Sequence, residues 1–152
     1  MTPIELRGQV FSGKGEGARF TQLDWFQESL ERLVGFRPYP GTLNLRLRDR
    51  GSIGRLAMLR DGRGLCVLPP SPAFCKALLF PAELKARGRA ALIIPLVPGY
   101  PGDVLELVAA VPLRESLGLE DGAWLRIRAW AKGPLPPAEP EVGIARESPA
   151  GG

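Results

Sequence analysis

Residues 34–49 read VGFRPYPGTLNLRLRD. Pro38, Pro40 and Gly41 mark a turn, and the residues after it alternate: Leu43, Leu45 and Leu47 on one side, Thr42, Asn44, Arg46 and Arg48 on the other. A period of two is the pattern of a half-buried strand, so 42–48 is expected to lay its leucines on a core. Thr42 and Asn44 then share the polar face, with Cα atoms roughly 6.5 Å apart. From there a hydroxyl and an amide carbonyl can converge on one small cation. Magnesium takes oxygen ligands and fills the rest of its shell with water and substrate phosphate. The same alternation is equally satisfied by two solvent-facing residues, and local pattern does not choose between these readings.

Outward from this strand, residues 4–11 alternate in the same way. SGKGEGARF (12–20) has glycine at 13, 15 and 17 and reads as a loop. Residues 24–34 fit a short helix with an apolar stripe of Phe26, Leu30, Leu33 and Val34. Asp24 and Gln27 have capping-box spacing, and Gly35 stops the helix. Residues 49–64 show little periodicity. GLCVL (64–68), KALLF (76–80) and AALIIPL (90–96) are apolar runs, each long enough for one buried strand. DVLELVAAV (103–111) is a further strand, PLRESLGL a helical turn, EDG a tight turn and AWLRIRAW (123–130) a last alternating strand. Six or seven short strands with one or two short helices imply a mainly β protein built as a small closed barrel over 1–131. Residues 132–152 lack any pattern that would offset the entropy of ordering them and read as a flexible tail.

Composition narrows the chemistry. The 152 residues fit one domain, and 19 glycines with 16 prolines fit a turn-rich fold. There is no histidine, and Cys66 and Cys75 form no CxxC pair. Cys/His zinc sites, histidine general bases and Ser/His/Asp triads are therefore excluded, and both cysteines are expected to be semi-buried thiols. A net charge of +4 suits a phosphate-bearing ligand as well as a nucleic acid. No apolar run approaches the roughly 18 residues of a membrane span, and the start MTPIELRG has no leader pattern, so a cytoplasmic protein is expected.

Two further features carry open readings. The glycines of SGKGEG let backbone N–H groups approach phosphate oxygens, with Lys14 adding a charge, but the spacing matches neither the Walker A nor the dinucleotide pattern and suits a plain loop as well. Glu106, within VLELV, either faces solvent at the barrel rim or meets a ligand N–H. Arg114 and Glu115 can form a local ion pair.

In order, GQVFSGKGEGARF (8–20), GFRPYPGTLNLRL (35–47), YPGDVLEL (100–107) and LRESLGLEDG (113–122) resemble the CTP-dependent riboflavin kinases of archaeal type. The resemblance implies a six-stranded cradle-loop barrel that transfers the terminal phosphate of CTP to the 5′-hydroxyl of riboflavin, giving FMN and CDP with a divalent metal such as Mg2+. It implies that Gly13, Lys14, Gly15, Glu16, Gly17 and Ala18 hold the nucleotide phosphates, and that Thr42 and Asn44 bind the metal and serve catalysis. Pro112, Leu113, Arg114 and Glu115 would contact the nucleotide, and Pro98 and Glu106 the flavin. Two positions depart from the family pattern: Pro98 stands where a threonine is usual, and Pro112 removes a backbone N–H. A monomer acting on riboflavin and CTP is expected, and nucleic acid is not expected as a partner. The competing readings are a related kinase with an altered nucleotide donor or acceptor, given Pro98 and Pro112, and a DNA-binding regulator, because LRESLGLEDGAWLRI (113–127) also resembles the repeat of swapped-hairpin regulators.

Overall fold

The strand around Asn44 has its leucines where alternation puts them: Leu43, Leu45 and Leu47 are buried, Asn44 and Arg46 half-buried. The computed structural model describes residues 3–13, 16–62, 64–67, 69–71, 76–84 and 88–131. Along them run β1 (Ile4–Phe11), α1 (Glu16–Thr21), α2 (Asp24–Val34), β2 (Leu43–Leu47), α3 (Arg50–Asp61), β3 (Leu65–Val67), β4 (Ala77–Leu84), β5 (Gly88–Pro95), β6 (Val104–Val108), α4 (Leu113–Leu117) and β7 (Trp124–Ala129). All pairings are antiparallel. The order β4-β5-β6-β2-β1-β7 returns to β4, so six strands close a barrel and β3 is added at β4.

The closure turns on β4. Ala77 to Leu79 pair with β3, whereas Ala82 to Leu84 pair with β7. Pro81 falls at the change of partner, where its missing N–H breaks no ladder, and its carbonyl accepts from Trp130 N at 2.9 Å. Inside the barrel Leu6, Val10, Leu45, Phe80, Leu92, Leu105 and Ile127 form one core, joined by Leu56 and Leu59 of α3. On the outside, Phe26, Leu30 and Val34 of α2 pack on Val67, Leu79, Ala91, Ile93 and Val108. β5 is therefore buried on both faces, which is why its residues read as an unbroken apolar run.

The barrel matches the expectation from alternation; the helices differ from it. Residues 50–61 form α3, which periodicity did not reveal because Ile53, Leu56 and Leu59 are its inward apolar positions among glycines and arginines. Its start is set by Asp49, whose carboxylate accepts from Ser52 N at 2.8 Å; that bond holds the carboxyl below its ordinary range. Residues 16–21 form α1 despite the glycines read as a loop. The box expected of Asp24 and Gln27 is not made: Leu23 occupies the cap position without a side-chain bond, and Gln27 reaches elsewhere. Gly35 does end α2, its N–H donating to Leu30 and Glu31. Cys66 is exposed rather than semi-buried. Cys75 and the tail from residue 132 lie outside the described residues.

Candidate active site

The barrel's outer face is open over β1, β2 and β6, and the registers Phe11↔Asn44 and Asn44↔Glu106 align three side chains in one row across it. Arg46 follows Asn44 on the same face, opposite Val104. A cavity of about 430 Å³ lies over this row, lined also by Ser12, Gly13, Ala18, Thr42, Tyr100 and Arg114. It adjoins a second cavity of about 280 Å³, and Gly41, Thr42 and Arg114 line both.

Where the two cavities meet, the geometry is tight. Thr42 Oγ1 donates to Asn44 Oδ1 at 3.3 Å, so both oxygens converge. Gly13 lies against the Asn44 amide: a Cβ there would sit 2.5 Å from Asn44 Nδ2, so any larger residue would push that side chain aside. Gly41 holds a φ of 107°, outside the range of other residues, so the turn can present Thr42. Its N–H donates to Thr21 Oγ1 at 2.7 Å, and the fully buried Thr21 donates in turn to Ala18 O at 3.3 Å. Gln27 Nε2 donates to Thr21 O at 2.6 Å and to Pro38 O at 2.8 Å. Its amide fixes α1 to the turn before β2, the role it takes in place of a cap.

On the Glu106 side, Tyr100 Oη donates to Glu106 Oε2 at 2.6 Å. Burial, then the bond to Glu106 and its negative charge, push the phenol well above the ordinary tyrosine range, with Arg60 pulling weakly the other way. Arg46 stands 4.7 Å over the Phe11 ring and 3.4 Å from Asp103 Oδ2. Pro98 is exposed and is not among the lining residues; it precedes Tyr100 in a turn closed by Tyr100 N donating to Val97 O at 3.0 Å.

On the other side, Tyr39, Val111, Pro112, Arg114 and Glu115 line the smaller cavity. Leu113, also at its wall, is buried in the barrel core and anchors α4. Arg114 pairs with Asp121 at 3.0 Å rather than with its neighbour Glu115. Ser12 Oγ donates to the same carboxylate at 2.9 Å and 3.0 Å. Asp121 thus ties the strand end that enters the glycine segment to α4.

Comparison with known proteins decides what this arrangement belongs to. The family model CTP-dep_RFKase, described as Domain of unknown function DUF120, matches residues 10–129. The chain belongs to this family. It is 34% identical over 130 residues to the riboflavin kinase of Sulfolobus acidocaldarius, covering 84% of this chain and 82% of that protein. It is 38% identical over 127 residues to the riboflavin kinase of Aeropyrum pernix, covering 81% and 93%, and 31% identical over 131 residues to that of Sulfurisphaera tokodaii, covering 84% and 96%.

The family's expected site residues fall largely together. Gly13, Ala18, Thr42, Asn44, Glu106, Pro112, Leu113, Arg114 and Glu115 all line the joined cavities. Lys14 and Gly15, and the side chains at 16 and 17, lie outside the described residues. Arg46, Tyr100, Thr21 and Asp121 were not singled out as site residues from sequence, and Gln27 only as a helix cap. A polar residue on the same strand face as Asn44 was the available signal for Arg46; the others act on partners that meet them only in the folded chain, Tyr100 and Gln27 on residues 6 positions away and Thr21 and Asp121 on residues 20 and 109 positions away. Among the described residues no cluster of three or more His, Cys, Asp or Glu could hold a metal ion. The convergent oxygens of Thr42 and Asn44 nevertheless suit a divalent cation that takes its remaining ligands from water and phosphate.

Proposed function

We propose that this protein is a riboflavin kinase that uses CTP: the terminal phosphate passes to the riboflavin 5′-hydroxyl, giving FMN and CDP. The observation that carries the reading is the junction of two cavities at Thr42, with Gly13 pressed against Asn44 at the lining of the larger one. The smaller cavity takes the nucleoside, with α4 beside it; the glycine segment takes the phosphates; the larger cavity takes the flavin. Thr42 and Asn44 hold a divalent cation such as Mg2+, which when bound offsets charge on the triphosphate.

Phosphoryl transfer asks little covalent work of the protein and depends on alignment and electrostatics. Thr42 and Asn44 fix the terminal phosphate, and the Tyr100–Glu106 pair orients the ribityl chain. Glu106 takes the hydroxyl proton, its other oxygen held in place by the Tyr100 phenol. Pro112 has no N–H and its carbonyl is engaged by Ser116 N at 2.8 Å, as those of Arg114 and Glu115 are by Leu119 N at 2.8 Å and Gly118 N at 3.3 Å, so base recognition falls to the Arg114 and Glu115 main-chain N–H groups and to Tyr39. Pro98 stands outside the cavity, so hydrogen bonding to the flavin on this side falls to Tyr100 and Glu106. We read the enzyme as a cytoplasmic monomer whose activity resides in residues 1–131.

The test is to mix purified protein with riboflavin, Mg2+ and each nucleoside triphosphate in turn, and to separate FMN from riboflavin by chromatography. FMN with CTP and little with ATP, GTP or UTP is expected. FMN from another donor would overturn the donor assignment. No FMN, together with salt-dependent DNA binding, would favour the regulator instead.

A further inference from the structure

During transfer, negative charge spreads over the three equatorial oxygens of the moving phosphoryl group, and a cation on its path lowers the barrier. Among the described residues lining the larger cavity, the cationic ones are Arg46 and Arg114. Arg114 stands on the nucleotide side and is held by Asp121 at 3.0 Å. Arg46 stands on the other side of Asn44 from Thr42, with its Cα roughly 6.5 Å further along the strand. Its contact with Asp103 is long, at 3.4 Å, and both side chains remain more than a third exposed. A pair of that kind is weak and leaves the guanidinium available to a better acceptor. The guanidinium lies over the Phe11 ring, 4.7 Å from its centroid, and Phe11 is in register with Asn44.

We propose that Arg46 is a catalytic residue: the cation that receives the phosphoryl group on its acceptor side. The proposal rests on the kinase reading and adds a role to it. The flavin 5′-oxygen forms its bond to the terminal phosphorus as the bond from phosphorus to the CDP bridging oxygen breaks. The bonding pair leaves with CDP, and the hydroxyl proton goes to Glu106. The Arg46 fork donates two N–H bonds to phosphoryl oxygens as they move toward the flavin, a bidentate match that lysine does not reproduce. After transfer the phosphate belongs to FMN and still faces Arg46, so the same residue makes the site prefer FMN over riboflavin.

Arg46→Met keeps the stem over Phe11 and removes the charge; Arg46→Lys keeps the charge without the fork. For Arg46→Met at saturating CTP and riboflavin, kcat should fall about 100-fold. Dissociation constants from flavin fluorescence should weaken about 10-fold for FMN and stay the same for riboflavin, with Tm unchanged. Arg46→Lys should recover part of both losses. An unchanged kcat in Arg46→Met, or equal weakening of FMN and riboflavin, would overturn the assignment. If the wild-type protein made no FMN from CTP, the kinase reading itself would fall. In that case the wild-type preference for FMN over riboflavin, abolished in Arg46→Met, would still report the phosphate contact, and its absence would refute it.

Discussion

The two halves of the barrel's outer surface differ in how they meet the rest of the chain. Over β3, β4 and β5 the outer face is apolar and sealed by α2, with Ala91, Ile93 and Leu79 beneath Phe26 and Leu30. Over β1, β2 and β6 the equivalent positions are Phe11, Asn44, Arg46 and Glu106, and among the described residues no helix packs over them; α1, the turn before β2 and α4 stand around the rim instead. One half spends its outward side chains on stability, the other on chemistry. Substitutions in the two halves should therefore fail in different ways.

The largest effect belongs to the sealed half. Phe26 is fully buried, so Phe26→Ala should destabilise the fold by about 3–5 kcal/mol, measured by urea unfolding, while any protein still folded keeps its kcat. In the open half, Gly13→Ala should leave Tm nearly unchanged but cut kcat up to about 100-fold, because the added methyl displaces Asn44 and misalignment of that order is costly. A Tm loss with kcat preserved would place Gly13 with the structural half. Asp121→Asn removes the charge that holds Arg114 while keeping an acceptor for Ser12. As the pair is half exposed, KM for CTP should rise only about 3-fold, with kcat and KM for riboflavin little altered.

The smallest effect is on pH dependence. Tyr100 is held neutral in the folded protein beyond the ordinary range, whereas in the unfolded chain it ionises near about 10. A raised folded pKa contributes stability that is present below that pH and lost above it. The Tm advantage of wild type over Tyr100→Phe should hold at pH 8 and shrink at pH 10.5.

How much of this was legible in the sequence follows the same division. Period-two alternation in residues 4–11, 42–48 and 123–130 and the unbroken apolar run at 90–96 were enough for the barrel, because a strand's burial is written in consecutive residues. Helix α3 escaped because its buried stripe is sparse, and β4 was cut short because Pro81 looks like a boundary when it marks a change of partner. At the site, local pattern left Gly13, Thr42 and Asn44 with open readings, and the family resemblance of their segments singled them out. Thr21, Tyr100 and Asp121 did not, since each acts on a partner elsewhere: Thr21 on Gly41, 20 positions on, and Asp121 on Ser12, 109 positions away. Tyr100 lies only 6 positions from Glu106, but a turn and a strand have to form before the two side chains meet.

The central claim is that the open half is a phosphoryl-transfer site organised around Asn44. Asn44→Ala, assayed for FMN formation from riboflavin and CTP beside thermal unfolding of the same sample, tests it most directly. The account predicts a loss of kcat of about 100-fold or more with the unfolding midpoint unchanged. Turnover at the wild-type rate, or a loss of rate that only follows a loss of folding, would contradict it.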